Sequence, residues 1–199
     1  MGPAGDELEY YREKGFIMEI SRWESEVLDE RKHKDMFFGG HSQSPIPPKE
    51  RLRFEGLDYY PPDQEYRFEI ELHDHSTKEK IKVQDTRGNE RQFLRWGEFR
   101  FKIQDKECTL QAYKSDPIEE RLFIPFKDAT SGKETYGAGR YLDLESTQHQ
   151  TSEGKWILDL NRAYNPWCAY SKFYACPIVP SENWLEVQVP AGEKNYQKK

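Results

Sequence analysis

From Tyr66 onward the chain is a train of short runs in which apolar and polar residues alternate, cut by turn residues at intervals too short for helices. Residues 66–72, 80–86, 91–103, 107–113, 121–126, 140–145, 155–161 and 184–189 each read as a strand. Arg87-Gly88-Asn89, Asp105-Lys106, Ser115-Asp116-Pro117 and Ser152-Glu153-Gly154 read as the turns between them. Strands at this spacing, with no helix between them, predict an antiparallel β-sandwich or barrel. Alternation along a strand assigns the faces. Phe99, Phe101 and Ile103 share one; Cys108, Leu110 and Ala112 share one; so do Leu122, Ile124 and Phe126, and Leu142 with Leu144.

The N-terminal part has a different texture. Residues 6–37 are highly charged, and Phe16, Ile17, Ile20, Trp23, Val27 and Leu28 recur at mixed three- and four-residue spacings, which suits an amphipathic helix. Gly15 is a candidate break, and Ser21 with Glu24 a candidate capping box. Gly39-Gly40-His41-Ser42-Gln43-Ser44-Pro45-Ile46-Pro47-Pro48 excludes both helix and central strand. Tyr59-Tyr60-Pro61-Pro62-Asp63 is a second stop. The organisation expected is a helical segment (1–38), a Pro/Gly-rich connection (39–65) and a β domain (66–199), in one domain overall.

Hydrophobic residues make up only 35% of the 199 residues, but 5 Trp, 12 Tyr and 11 Phe supply a core of large rings. Disordered chains lack such aromatics and carry more net charge than the −6 here. That acidic balance argues against nucleic acid as a partner. No apolar run is long enough to span a membrane, and the acidic N-terminus is no secretory signal. Three cysteines do not make a disulfide scaffold, so a cytoplasmic protein with free thiols is expected.

Two stretches concentrate chemistry. Residues 126–141 hold Asp128, Thr130, Ser131, Thr135 and Arg140 among three glycines. Glycines let backbone amides approach a ligand and can build an anion nest. Arg140 offers a planar fork for a carboxylate or phosphate. The plainer alternative is a β-connection whose Arg140 pairs with Asp128. Gly132-Lys133 is not a phosphate loop, since Lys127 and Glu134 stand where Gly and Ser or Thr are required. In residues 156–170, Asp159 and Asn161 lie opposite Trp156, Leu158 and Leu160 on a strand. They line the mouth of the β structure, or they tie down the turn that follows as Asx residues do.

Other groupings are weaker. Cys168 and Cys176, eight residues apart, do not have zinc spacing and read as free thiols rather than a redox pair; Cys108 reads as a small core residue. His73, His75 and Glu79 have a metal-like spacing, but the one further candidate, His149, sits in a polar loop, so an exposed hairpin end is the better reading and no metal is expected. Asp128 with Asp159, or Glu193, are the carboxylates that could do acid–base work if burial drove their pKa values apart.

Read together, the segment from Phe126 through Gly137-Ala138-Gly139-Arg140-Tyr141-Leu142, the string Leu158-Asp159-Leu160-Asn161-Arg162-Ala163-Tyr164-Asn165-Pro166-Trp167-Cys168-Ala169-Tyr170, and then Cys176-Pro177, Pro180, Asn183 and Ala191-Gly192-Glu193-Lys194 resemble the domain of unknown function family 1684 of archaea and bacteria. The resemblance covers roughly residues 50–194. It implies no activity, only that the signature residues form one unit. Leu160 and Trp167 stand where the family favours Phe and Tyr. The first reading is therefore a small anionic molecule bound in one polar pocket by Thr130, Ser131, Thr135, Arg140, Asn161, Tyr164 and Asn165, without cofactor. A hydrolase- or isomerase-type enzyme with Asp128 or Asp159 as base is the second. A protein-interaction module using the aromatic 164–184 segment is the third.

Overall fold

A computed structural model describes residues 4–197, with side chains from Lys14 onward except Phe16 and Ile17. The expected apolar contacts of Phe16 and Ile17 thus lie outside the described residues. The chain is mainly β and antiparallel, with one long N-terminal helix. Helix α1 (Ala4–Gly40) runs unbroken through Gly15, and Ser21 and Glu24 lie inside it, so neither the break nor the capping box exists. One glycine costs a helix interior only about 1 kcal/mol, which a helix of 37 residues with a docked face absorbs. The helix also takes in Gly39 and Gly40, which had been assigned to the connection.

The docked stripe of α1 runs Trp23, Val27, Arg31, Lys34, Phe38, at the three- and four-residue spacing of one helix face. Trp23, Val27 and Phe38 are buried, while Arg31 and Lys34 are half-buried. Leu28, expected in this stripe, is off it by one residue and 48% exposed. The stripe is therefore apolar at its ends and cationic in its middle.

Strands β1 (Arg67–Ile70), β2 (His73–Gln84), β3 (Glu90–Ile103), β4 (Lys106–Lys114), β5 (Arg121–Phe126), β6 (Arg140–Glu145) and β7 (Trp156–Asp159) form two antiparallel sheets. Five strands follow the order β2-β3-β4-β5-β6, and β1 pairs with β7. The register opposes Phe99 to Leu110, Phe101 to Cys108, Leu122 to Leu144 and Ile124 to Leu142, which brings the four expected faces together. That face packs on Phe68, Trp156 and Leu158 of the small sheet and on Leu185, Val187 and Val189. The Phe68 and Phe101 ring centroids are 4.8 Å apart. The opposite face of the large sheet buries Tyr113, Phe123 and Tyr141 under Cys176 and Val179.

Three expected strands differ. The strand expected over 80–86 is β2, which begins at His73, so the expected hairpin end around His73 and His75 is the bulged first part of a paired strand. Strand β7 stops at Asp159 and continues as a single 3-10 turn, Leu160–Arg162, because the Asp159 side chain accepts from Asn161 N at 3.0 Å and caps that turn. Residues 184–189 do alternate in burial, but they form an extended strap rather than a ladder strand. Leu185 N donates to Lys127 O at 2.8 Å and Ala129 N to Val187 O at 2.9 Å, so the strap follows the loop after β5 and no strand of either sheet.

Candidate functional site

The polar signature residues are strung along this C-terminal strap in three neighbouring groups, where one convergent pocket was expected. The first is the 126–141 loop. Asp128 Oδ2 accepts from Val189 N at 2.6 Å and from Thr130 Oγ1 at 2.8 Å; Oδ1 takes Thr130 Oγ1 at 2.9 Å and Ser131 Oγ at 3.1 Å. Thr130 and Thr135 share a hydroxyl bond of 2.9 Å. Arg140, with no exposure at all, donates from Nη2 to Val189 O at 2.9 Å and from Nη1 to the carbonyls of Ala191 and Glu193, and stands 3.5 Å from Asp128. Burial lowers the guanidinium pKa, and the Asp128 charge pulls it back up. Loop amides also turn inward: Lys133 and Glu134 donate to Thr130 O and Gly132 to Thr135 O. Apart from the buried Arg140 Nε, which has no partner, these groups are spent on the strap or on the loop itself, so the two Nη groups of Arg140 offer no free fork to an anion and the loop no open nest.

Glycine is required at two positions here. Gly139 (φ +98°) has Phe126 O 2.6 Å from where a Cβ would stand, and Gly192 (φ +75°) has Ala163 O at 2.6 Å. Both lie in the left-handed region that only glycine adopts without strain. They let the loop, the turn and the strap close on one another.

The second group docks α1 and the 58–63 segment. Asp159 Oδ2 accepts from Trp23 Nε1 at 2.8 Å, and Oδ1 from Asn161 Nδ2 at 2.9 Å. Asn161 Oδ1 accepts from Asp63 N and its Nδ2 donates to Asp63 O, both at 2.8 Å. Asp128 and Asp159 thus both have their oxygens filled and neither reaches a cavity as a base would.

The third group surrounds Glu193, which is 1% exposed. Its carboxylate is ion-paired to Lys34, takes the Tyr170 hydroxyl, and accepts from Asn165 N at 2.8 Å. Asn165 Nδ2 donates to Lys194 O at 2.7 Å. The Tyr164 hydroxyl turns away to Asp143 at 2.5 Å, but its ring lies 5.0 Å under the Lys34 ammonium. A bridge between Tyr59 and Glu193 places these two side chains on one side. Burial, then the Glu193 charge, drive the Tyr59 and Tyr170 hydroxyls well above the ordinary tyrosine pKa.

A cavity of about 190 Å³ opens here between α1 and the turn after β7, lined by Arg31, Lys34, Tyr59, Ala163, Tyr164 and Glu193 among others. Arg31 donates to Tyr60 O at 2.7 Å and Asn161 O at 3.0 Å, and its guanidinium lies 4.6 Å over the Tyr59 ring. Its Nε is buried without a hydrogen-bond partner, and the buried Tyr59 hydroxyl, though beside Glu193, meets no partner at bonding geometry. The sequence reading missed Arg31, Lys34, Tyr59 and Tyr170. The signal for the first two was present: they fall on the docked stripe between Val27 and Phe38.

The remaining candidates are dispersed. His75 bonds Gln111 at 2.7 Å, Glu79 pairs with Arg95 at 2.7 Å, and His149 accepts from Glu145 N at 3.0 Å. Among the described residues no three His, Cys, Asp or Glu side chains cluster as a metal site. No described helix is long and apolar enough to cross a membrane. In the 164–184 segment Trp167, Phe173, Ile178 and Trp184 are exposed.

No curated protein matches the chain. The solution NMR structure of an uncharacterized protein from Haloarcula marismortui is 39% identical, covers 89% of this chain and 96% of that chain, and superposes with a TM-score of 0.68. The model of the family described as "Protein of unknown function (DUF1684)" matches residues 52–194, a span that holds the β sheets, the strap and Glu193 but not α1, which supplies Lys34. On that match the chain belongs to the DUF1684 family.

Proposed function

We propose that the protein binds a small anion, a short carboxylate for choice, in the cavity beneath α1, with the Arg31 Nε–H and the Tyr59 hydroxyl as its donors. One observation carries this reading. The buried Arg31 Nε and Tyr59 hydroxyl, both without a partner at bonding geometry, line the same cavity, where the third such atom, Arg162 Nε, is ion-paired to Glu30; the large majority of buried side-chain polar atoms in proteins are satisfied. An acceptor in the cavity meets both needs. The charge fits too: Arg31 makes its hydrogen bonds to neutral carbonyls and no ion pair among the described residues. At about 190 Å³ the cavity is below the usual range for drug-sized ligands, so the occupant has few heavy atoms. The reading takes the protein as cytoplasmic, in keeping with its acidic charge and free cysteines.

The test is thermal unfolding of the wild type and of Arg31→Ala with acetate, glycolate, pyruvate, malonate and phosphate. A ligand at 100 times its Kd adds about 2.7 kcal/mol. Stabilisation of the wild type and not of the variant supports the reading. No shift with any of the five means the cavity holds only water and sinks it.

A further inference from the structure

We propose that Cys168 and Cys176 form an oxidisable dithiol, in which hydrogen peroxide attacks at Cys176 and Cys168 closes the product to a disulfide. The two residues bracket an irregular turn on the outer face of the large sheet, away from the Glu193 cavity. Cys168 N donates to Cys176 Sγ at 3.3 Å, and the Cys168 thiol is turned toward the same sulfur. The Tyr136 hydroxyl reaches Cys168 Sγ at 3.7 Å. Arg91 of β3 donates to Ala175 O at 2.8 Å, which sets its guanidinium one residue from Cys176. Thr86 clasps Cys176 from β2's end: Cys176 N donates to Thr86 Oγ1 at 3.2 Å and Thr86 N to Cys176 O at 3.0 Å.

The Cys168 amide on its sulfur and the nearby Arg91 charge favour a thiolate on Cys176, while the Tyr136 hydroxyl acts on Cys168. The groups that face it are Cys168, Arg91, Tyr136 and Tyr141, and Arg91 is itself paired at 3.7 Å with the buried Asp85 carboxylate next to Thr86. The Cys168 hydrogen bond holds the Cys176 thiol below the ordinary cysteine range, while Cys168 is held above it. Thiolate character next to a cation and an amide is what separates a reactive cysteine from an inert one. Cys108 is the internal contrast. It sits in the core, its thiol reaches Lys106 O at 3.6 Å, and burial pushes its pKa up.

The chemistry balances. The Cys176 thiolate attacks one peroxide oxygen, the O–O bond breaks, and hydroxide leaves and takes a proton. Cys176 sulfur is oxidised to the sulfenic acid and the peroxide is reduced. Cys168 sulfur then displaces the sulfenic hydroxyl, which departs as water with the Cys168 thiol proton. Two thiols and one peroxide give one disulfide and two waters. Cys168 is half-buried and Cys176 8% exposed, an opening suited to an oxidant as small as hydrogen peroxide.

The experiment treats the reduced full-length protein with hydrogen peroxide, alkylates the remaining thiols, and reads intact mass and a peptide map. The wild type should keep one alkylatable thiol, lose the mass of two hydrogens, and show a 168–176 linkage that dithiothreitol reverses. Cys168→Ser should stop at a sulfenic acid on Cys176 that dimedone traps; Cys108→Ala should behave as wild type. Three alkylatable thiols after peroxide, a linkage through Cys108, or a disulfide between two chains would overturn the proposal. The wild-type map decides the linkage even if a serine variant fails to fold.

Discussion

The Arg140 guanidinium stands 3.5 Å from the Asp128 carboxylate with neither side chain exposed, and both bond backbone groups of the same strap. The pair is a clamp. Arg140 accounts for carbonyls of Val189, Ala191 and Glu193, and Asp128 for the Val189 amide. Removing one partner of a buried pair costs about 3–5 kcal/mol, because the other charge stays behind. Arg140→Ala is therefore expected to lower the melting temperature by on the order of 10 °C at this chain length. Differential scanning calorimetry reads it directly. A fall of less than about 2 °C would mean the strap does not depend on the clamp.

Helix α1 is held to the β structure at its apolar end by the Trp23 Nε1 to Asp159 Oδ2 bond of 2.8 Å. Trp23→Phe keeps a ring and leaves that carboxylate oxygen without its donor. The expected cost is about 1–3 kcal/mol. Leu28→Ala, at an exposed position one residue off the stripe, should stay within about 0.5 kcal/mol. Urea unfolding of the two variants side by side checks the assignment of the helix face. Equal losses would mean that the helix is rotated from the orientation described.

The sheet was legible because alternation has one physical meaning: Phe99, Phe101 and Ile103 can be buried together only on one face of a strand. The 184–189 segment shows the limit of that signal. Its alternation is real, yet burial alternates in any extended segment pressed on a core, and only hydrogen-bond partners distinguish a strap from a strand. At the candidate site the sequence showed which residues belong together but not what they face. Arg140 is a fork in either setting, and whether its partner is a ligand or Ala191 O depends on a strap some fifty residues away. Arg31 and Lys34 belong to the highly charged 6–37 segment, yet their spacing from Trp23 and Phe38 places them on the docked face.

Gly192 is the point where the strap passes the turn after β7. A Cβ there would stand 2.6 Å from Ala163 O and 2.9 Å from Leu160 O, on a backbone at φ +75°. Gly192→Ala therefore combines left-handed strain with a clash against backbone, which cannot rotate away. Gly88 is a matched control: φ is +83°, and nothing lies within 4 Å of its added Cβ. Gly88→Ala should cost about 1 kcal/mol of strain alone, and Gly192→Ala clearly more. Guanidinium unfolding of the two variants gives the comparison. Equal losses would show that the strap yields at Gly192 without cost.

Asp35 couples the docking of α1 to pH. Burial raises its carboxyl above the ordinary aspartate range, and the Leu57 N–H at 3.0 Å opposes this only in part. The folded protein thus binds the Asp35 proton more tightly than the unfolded chain does. Well above the raised value the charged carboxylate is a burden on folding. As pH falls through that value, the native state takes up the proton first and this burden is relieved; below the ordinary aspartate pKa both states are protonated and the change is complete. Asp35→Asn removes the titration and keeps an oxygen for Leu57 N. At neutral pH the variant should melt at or above the wild-type temperature, and the gap should close as pH is lowered to about 4. Melting curves of both proteins across that range supply the test, since other titrating groups cancel in the difference. A gap that widens toward acid would assign Asp35 the opposite role, that of a carboxylate whose charge the fold stabilises.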